Sequence, residues 1–287
     1  MKSLLLPICV LVSFSTIAQV ESPEQRISHY TLQIKLHPDS TGNYITRAIA
    51  YNDKKEYPSA IADCNTALQF NPGNIGALKI RADAYYYLQK FDSSIHDINE
   101  VIKINKTDAE GWNRRGLDYY WLNQLDKAIN DFTEALRLDS KNKNIWFNRG
   151  NTYYWQSKFD EAIGDISESI SYDPEFVRAL YIRGMCFYYQ KKFQNAIADF
   201  TKALQTDQLN DDVLNSRGIC YSLIHQTDSA LTDISKAIEI NPGNLFAWNS
   251  RGNLYKNIGK YELAIADYTQ AILGNSKNSS SGGIINK

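Results

Sequence analysis

Arginine and aspartate recur in this sequence at a separation of 16 residues, and a row of such pairs could bind a charged ligand or a cation. Each arginine directly precedes a glycine or an alanine. A buried ion pair adds little net stability, but losing one partner is costly, so such pairs can instead fix the register of two packed helices. We favour this structural interpretation. The seven pairs are Arg47 with Asp63, Arg81 with Asp97, Arg115 with Asp131, Arg149 with Asp165, Arg183 with Asp199, Arg217 with Asp233, and Arg251 with Asp267.

Other residues that could perform catalysis or bind metal show no comparable order. The four histidines occupy unrelated places, without a cysteine or serine partner at a recognisable spacing: His29, His37, His96 and His225. No nucleotide-binding loop, zinc motif or nucleophile elbow appears. Cys186 and Cys220 are 34 residues apart, but helices stacked about 8–10 Å apart exceed the roughly 7 Å limit between the Cα atoms of a disulfide. We therefore expect no catalytic residue, metal or cofactor, and a protein that is not an enzyme.

The ion pairs belong to an internal repeat of 34 residues. The tetrapeptide Asn-Ser-Arg-Gly occurs at residues 215–218 and again at 249–252. In every unit an aromatic residue follows the glycine or alanine three residues later, and a small residue follows nine residues after that. Proline closes three of the units. Seven units fit without insertion: 41–74, 75–108, 109–142, 143–176, 177–210, 211–244 and 245–278.

Each unit predicts two helices joined by a short polar turn. Gly116 and Tyr119 lie on one apolar stripe of helical period, and Ala128 and Phe132 lie on the next. Two antiparallel helices that touch at glycine or alanine can approach closely, and aromatic rings fill the space around that contact. A single pair cannot bury its outer face, so the units must stack. The sequence therefore predicts an all-α solenoid.

This pattern of large aromatic, Gly or Ala, Tyr, Ala, aromatic, Ala and Pro over 34 residues resembles the tetratricopeptide repeat (TPR) family. The resemblance covers residues 41–278 and implies a right-handed superhelix of helix-turn-helix repeats. It also implies a scaffold for protein–protein interaction.

In the TPR family the first helix of each unit lines the concave face, and its second, fifth, sixth, ninth, twelfth and thirteenth places meet the ligand. Carried over to this sequence, these places predict a groove rich in aromatic and asparagine residues and poor in cations. The groove residues predicted are Tyr86, Tyr87, Asn113, Tyr120, Trp121, Phe147, Asn148, Asn151, Tyr154, Trp155, Tyr181, Tyr188 and Tyr189. The alternative is that most of these rings only pack between helices.

The ends of the chain predict export and a capped stack. Residues 1–18 combine Lys2, an apolar run and a small-residue cleavage site, which is typical of a secretory signal peptide. Residues 19–40 are interpreted as a half-repeat that caps the first unit. Residues 279–287 are interpreted as a flexible tail. The apolar outer face around Ile265 and Ile272 is then either covered by Ile284 and Ile285 of this tail or used in self-association.

The composition of the chain limits the classes of molecule that it is expected to bind. The chain has 287 residues, is 43% hydrophobic and 22% charged, and carries a formal charge of −1, so a basic patch for nucleic acid is not indicated. No membrane-spanning segment is expected after signal cleavage. We expect a non-catalytic exported scaffold, periplasmic or extracellular and bound at most peripherally to the cell envelope. Its expected ligand is a protein or an extended peptide segment. The alternative is a glycan-binding protein of the cell envelope that uses the same groove.

Overall fold

The computed structural model describes residues 21–280, with side chains as far as residue 274. The signal peptide expected at 1–18 and the tail residues 281–287 lie outside this range. The described residues form 15 α-helices and no strand, which confirms the predicted all-α solenoid class. The chain divides into two compact units, each larger than a single repeat and called unit 1 and unit 2 below, with the boundary between residues 104 and 105.

Unit 1 comprises five helices. Their bounds are α1 Pro23–Leu36, α2 Thr41–Asp53, α3 Tyr57–Phe70, α4 Ile75–Tyr87 and α5 Phe91–Ile104.

Unit 2 comprises ten helices. Their bounds are α6 Ala109–Trp121, α7 Leu125–Leu138, α8 Lys143–Trp155, α9 Phe159–Tyr172, α10 Val177–Tyr189, α11 Phe193–Thr206, α12 Asp211–Leu223, α13 Thr227–Ile240, α14 Leu245–Asn257 and α15 Tyr261–Ser280.

Each predicted repeat holds one 13-residue first helix followed by one second helix. First helices begin at an Asn or Asp in five of the repeats, where the side-chain oxygen accepts a hydrogen bond from a backbone N–H of the first turn. The turn to the second helix contains a residue with positive φ, such as Lys191 at 59°. Glycine fills this place only in the last repeat, as Gly259. A left-handed residue at this point ends the helix and reverses the chain.

The two helices of a repeat touch where the sequence places glycine. A Cβ added to Gly150 in α8 would lie 2.7 Å from Cγ1 of Ile166 in α9, and one added to Gly184 in α10 would lie 2.5 Å from Cε1 of Phe200 in α11. Since real side chains do not approach so closely, an alanine here would force the helices apart.

The N-terminal helix α1 stands where the second helix of a preceding repeat would stand. Thr31 in α1 accepts a hydrogen bond from Nη1 of Arg47 at 3.0 Å, and Arg26 forms an ion pair with Asp53 of α2. A capping box between Ser22 and Gln25 begins the helix. Residues 23–36 therefore cover α2, although none of their side chains is fully buried.

The last helix is longer than the sequence suggests. Second helices of the other repeats have 14 residues, whereas α15 has 20 and continues to Ser280. Residues 279 and 280, which the sequence assigns to the tail, are therefore helical. Gly274 lies directly against Leu245 of α14, so the helix still packs on its own repeat at this point.

Candidate functional site

The arginine–aspartate pairs are the most regular polar feature of both units. In each of the seven repeats, Nε and Nη2 of the arginine face the two oxygens of the aspartate 16 residues later. For Arg149 and Asp165 the two distances are 2.7 and 2.9 Å. Hydrogen bonding to Asp131 raises the pKa of Arg115 above its ordinary value. These bidentate pairs join the two helices of one repeat.

The third nitrogen of the guanidinium joins successive repeats. Nη1 of Arg149 donates to Thr133 at 3.0 Å, and Nη1 of Arg183 donates to Ser167 at 3.0 Å, each on the second helix of the preceding repeat. Our sequence reasoning missed this contact. The hint was a small polar residue at every 34th position: Thr31, Asn65, Asn99, Thr133, Ser167, Thr201, Ser235 and Thr269. Because Arg149 is engaged at all three nitrogens, its role is structural.

The first helices form the concave side of unit 2. Successive first helices α8, α10 and α12 approach one another directly, whereas the second helices of residues 105–280 show no comparable approach. A stack that is tighter along its first helices curves toward them. We call this surface the first-helix face.

Tyrosines at the twelfth place of the first helices are partly buried packing residues. Tyr154 lies 6.2 Å from Phe159, and Tyr188 lies 6.1 Å from Phe193, measured between ring centroids. Each partner is the first residue of the second helix in the same repeat. In unit 1 Tyr86 packs on Phe91 in the same way, at 5.7 Å. Burial raises the pKa of Tyr154 and of Tyr188. Tyr120 is likewise partly buried.

Aromatic residues at the thirteenth place are exposed. In unit 2 they are Trp121, Trp155 and Tyr189, which are 57%, 62% and 51% exposed. We call these three the aromatic row. They lie at the end of each first helix, beside the turn, and the ring of Tyr189 stacks on Phe159 of the preceding repeat at 5.2 Å. Tyr87 holds this place in unit 1, is 58% exposed and stacks on Tyr57 at 5.2 Å.

The predicted asparagines form side-chain hydrogen bonds between repeats three and four. Nδ2 of Asn148 donates to Oδ1 of Asn113 at 3.0 Å, and Nδ2 of Asn151 donates to the hydroxyl of Tyr120 at 3.2 Å. These contacts hold the amides in fixed orientations on the first-helix face. A fixed amide loses less conformational entropy when it binds a peptide backbone.

A pocket of about 280 Å³ opens between α8, α10 and α12. Three predicted groove residues, Phe147, Asn151 and Tyr181, contribute to its walls. Arg178 and Asp212 line it as well. Neither charged residue was selected as part of a site from the sequence. Both occupy the second place of their repeats, one of the ligand-facing places.

Residues able to perform redox or metal chemistry are not gathered into a site within residues 21–280. No group of His, Cys, Asp and Glu side chains in that range is arranged to hold a metal ion. Cys64, Cys186 and Cys220 are free thiols, and each is fully enclosed. None of the helices in the described range combines the length and the apolar character needed to cross a bilayer.

The outer face of α15 is apolar and open. Ile265 and Ile272 are 64% and 69% exposed. At the place of Ile272, the preceding repeat holds Ile238, which is 6% exposed because α14 covers it. Ile284 and Ile285, which the sequence offered as a cover, lie outside the described residues.

Comparison with known proteins identifies the repeats. Models of the TPR repeat match residues 116–157, 177–208 and 246–273. The chain matches no curated protein sequence.

Solved structures share the fold at low sequence identity. Pseudomonas aeruginosa pilF gives a TM-score of 0.65 at 14% identity, over 81% of this chain and 100% of that chain. A tetratricopeptide repeat protein from Parabacteroides merdae gives 0.64 at 17% identity, over 80% and 91%. YrrB, described as a TPR protein with an unusual peptide-binding site, gives 0.57 at 17% identity, over 66% and 97%. The family matches and the tandem array of helix pairs together show that the chain is a tetratricopeptide repeat protein.

Proposed function

We propose that this protein is a non-catalytic, exported scaffold that binds extended segments of other proteins on its first-helix face. The observation that supports this most strongly is the exposure of the aromatic row beside partly buried tyrosines at the adjacent place. Trp155 is 62% exposed. By contrast, Trp112 and Trp146 of repeats three and four are partly buried beside the arginines of the arginine–aspartate pairs. Tryptophan and tyrosine dominate binding hot spots because they offer a large rigid surface.

Several features make a peptide a suitable ligand. The amides of Asn148 and Asn151 are held on the same face and can pair with the backbone of an extended chain. The fold is shared with YrrB, whose description names a peptide-binding site. TPR proteins generally bind peptides or proteins without catalysing a reaction. Export rests on the N-terminal sequence pattern of residues 1–18.

The test is the double change Trp121→Ala/Trp155→Ala in the full chain. Random dodecapeptides displayed on phage provide the probe, and the peptide that wild type selects is then synthesised for affinity measurement. The double variant should weaken its binding by at least about 2 kcal/mol, roughly thirtyfold, with little change in Tm, because both rings are more than half exposed.

A matched control removes two equally exposed rings elsewhere. Phe70 and Tyr172 are 53% and 47% exposed and lie at the ends of second helices α3 and α9. Phe70→Ala/Tyr172→Ala should retain wild-type affinity. Equal loss in both double variants, or no loss in the first, would contradict a binding role for the aromatic row. Retention on immobilised envelope polysaccharide that depends on Trp121 and Trp155, without peptide selection, would instead support the glycan alternative.

A further inference from the structure

We propose that the pocket between α8, α10 and α12 selects a peptide in which one apolar side chain is flanked by an acidic residue on one side and a basic residue on the other. This inference rests on the proposed function and gives it a ligand class. The pocket would receive the apolar side chain, Arg178 the acidic residue and Asp212 the basic residue.

The walls of the pocket are suited to an apolar side chain. Phe147 is buried, at 5% exposed, and lies 5.0 Å from Phe176 between ring centroids. Val177, Tyr181 and Val213 complete the apolar part of the lining. Burial raises the pKa of Tyr181, so its hydroxyl remains neutral at physiological pH. A volume of about 280 Å³ exceeds what one large side chain requires, and the pocket is open enough for an extended backbone to pass above it.

The two charges at the pocket are available to a ligand. The guanidinium carbon of Arg178 lies 5.1 Å above the centre of the Phe147 ring, and within residues 21–280 no carboxylate lies within 4.0 Å of its nitrogens. Arg149 and Arg183 of the arginine–aspartate pairs differ from Arg178 in this respect, since each has an aspartate oxygen at 2.7 Å. Arg178 is exposed and leans toward α8.

Negative charge lies on the opposite side of the pocket. Asp212 belongs to the first turn of α12 and is exposed. Its Oδ1 accepts a hydrogen bond of 3.3 Å from Asn244, which is neutral, and no cation in the described range neutralises it. The α8 side of the pocket is therefore positive and the α12 side negative.

The spacing of these groups fits an extended chain. Packed helices lie about 8–10 Å apart, and an extended peptide rises about 3.3 Å per residue, with alternate side chains on one face. Residues i, i+2 and i+4 would thus face the pocket across about 13 Å, a span that the long side chain of Arg178 can adjust. The ligand pattern is acidic, any, apolar, any, basic, ordered from α8 toward α12.

The test compares two selections from displayed random dodecapeptides on the immobilised full chain. Wild type should select peptides with the charges in one order around an apolar residue, and Arg178→Glu/Asp212→Arg should select the same spacing with the order reversed. Glu134→Arg/Arg137→Glu is the matched control, since it reverses an exposed pair on second helix α7. It should select the wild-type order.

The affinity of one selected, synthesised peptide gives the quantitative check. Arg178→Ala and Asp212→Asn should each weaken its binding about tenfold, and added salt should reduce the wild-type affinity but hardly affect these variants. If circular dichroism shows that the charge-reversed chain does not fold, the proposal is tested with these two single variants alone.

Three outcomes would overturn the proposal. Selected peptides without a charge order, the same order on the charge-reversed chain, or affinities unchanged by Arg178→Ala and Asp212→Asn would each do so. If such peptides still require Trp121 and Trp155, the scaffold function stands and only the pocket's selectivity is wrong. If no peptide is enriched on any form of the chain, both proposals fail.

Discussion

Arg149 and Trp155 lie six residues apart on the same helix, α8, and differ in almost every physical respect. Arg149 contacts Asp165 of its own repeat and Thr133 of the preceding one, and its guanidinium lies 5.1 Å above the ring of Trp146. Trp155 is 62% exposed, and the ring contact described for it is with its neighbour Tyr154 at 5.6 Å. The side chain of Arg149 is 17% exposed and held by several partners, whereas that of Trp155 is open to solvent.

The difference is also visible along the chain. Arginine occupies its place in all seven repeats, whereas the place of Trp155 holds Asp53, Tyr87, Trp121, Trp155, Tyr189, Leu223 and Asn257. An enclosed place must satisfy the same partners in every repeat, so its residue type recurs. An open place makes no such demand. Recurrence in this molecule therefore marks architecture, and variation marks the surface on which binding can be specified.

The largest expected effect separates these two places directly. Arg149→Ala should lower the free energy of unfolding by about 3–5 kcal/mol, because Asp165 would remain buried without its cation. Trp155→Ala should change it by less than about 0.5 kcal/mol. Urea unfolding followed by circular dichroism measures both. Similar losses for the two variants would remove the distinction between enclosed and open places.

A second pair of changes compares one place inside the stack with the same place at its end. Ile238→Ala should cost about 2–5 kcal/mol, since this side chain is 6% exposed and α14 covers it. Ile272→Ala, at a side chain 69% exposed, should cost less than about 0.5 kcal/mol. A large loss of stability in Ile272→Ala that depends on protein concentration would instead indicate that the α15 face is buried between two copies.

Hydroxyl acceptors on the second helices allow a smaller and closely matched comparison. Thr133 and Thr269 each donate to the carbonyl four residues earlier at 2.7 Å, but only Thr133 has an arginine of the next repeat, Arg149, as a donor. Thr133→Val should therefore cost about 0.5–1.5 kcal/mol more than Thr269→Val in urea unfolding. Equal costs would mean that the contact between repeats contributes nothing measurable.

A pH-dependent effect on stability concerns the enclosed thiols and appears only above their ordinary pKa of 9.0. Burial raises the pKa of Cys64, Cys186 and Cys220 from 9.0 to about 12. Since the native state then retains these protons longer than the unfolded state, stability is fully present below pH 9 and declines as the pH rises from 9 toward 12. Equilibrium unfolding of the alanine-substituted chain across this range should show a weaker decline.

The same thiols report enclosure at neutral pH. At pH 8 a thiol reagent should label none of the three in the native protein, whereas Trp155→Cys should react at once, because its side chain would be open to solvent. Rapid labelling of Cys186 or Cys220 under native conditions would show that the interior of the repeats opens easily.

Much of the fold could be predicted because the same structural constraints recur in each of the seven repeats. The ion pair, the glycine contact and the aromatic stripe each appear in the sequence at fixed intervals, and helical periodicity converts these intervals into faces. The contact from Arg149 to Thr133 was not found, although Ser, Thr and Asn recur there. Small polar residues on a helix surface usually face water, so their recurrence alone does not indicate a partner.

The ends and the pocket were less predictable. Gly274 and the serines that follow favour the end of a helix, yet α15 runs to Ser280, and Gly274 lies against Leu245 of the neighbouring helix. Lys191 adopts a positive φ without being glycine, at a turn where its N–H donates to the carbonyl of Tyr188 and the N–H of Lys192 donates to the carbonyl of Phe187. Neither effect is visible from local propensity.

The sequence by itself determined the repeat length, the helix pairs and the partner of each arginine. These follow from local periodicity and from charges that cannot remain buried alone. Only the tertiary structure decided which aromatic rings are open. The twelfth-place tyrosines turn onto the next helix of their own repeat, and the thirteenth-place rings stay at the surface. It also decided that Arg178 and Asp212 line the same pocket without forming ion pairs within residues 21–280. Their separation depends on the distance between successive first helices, and packing between neighbouring repeats sets that distance.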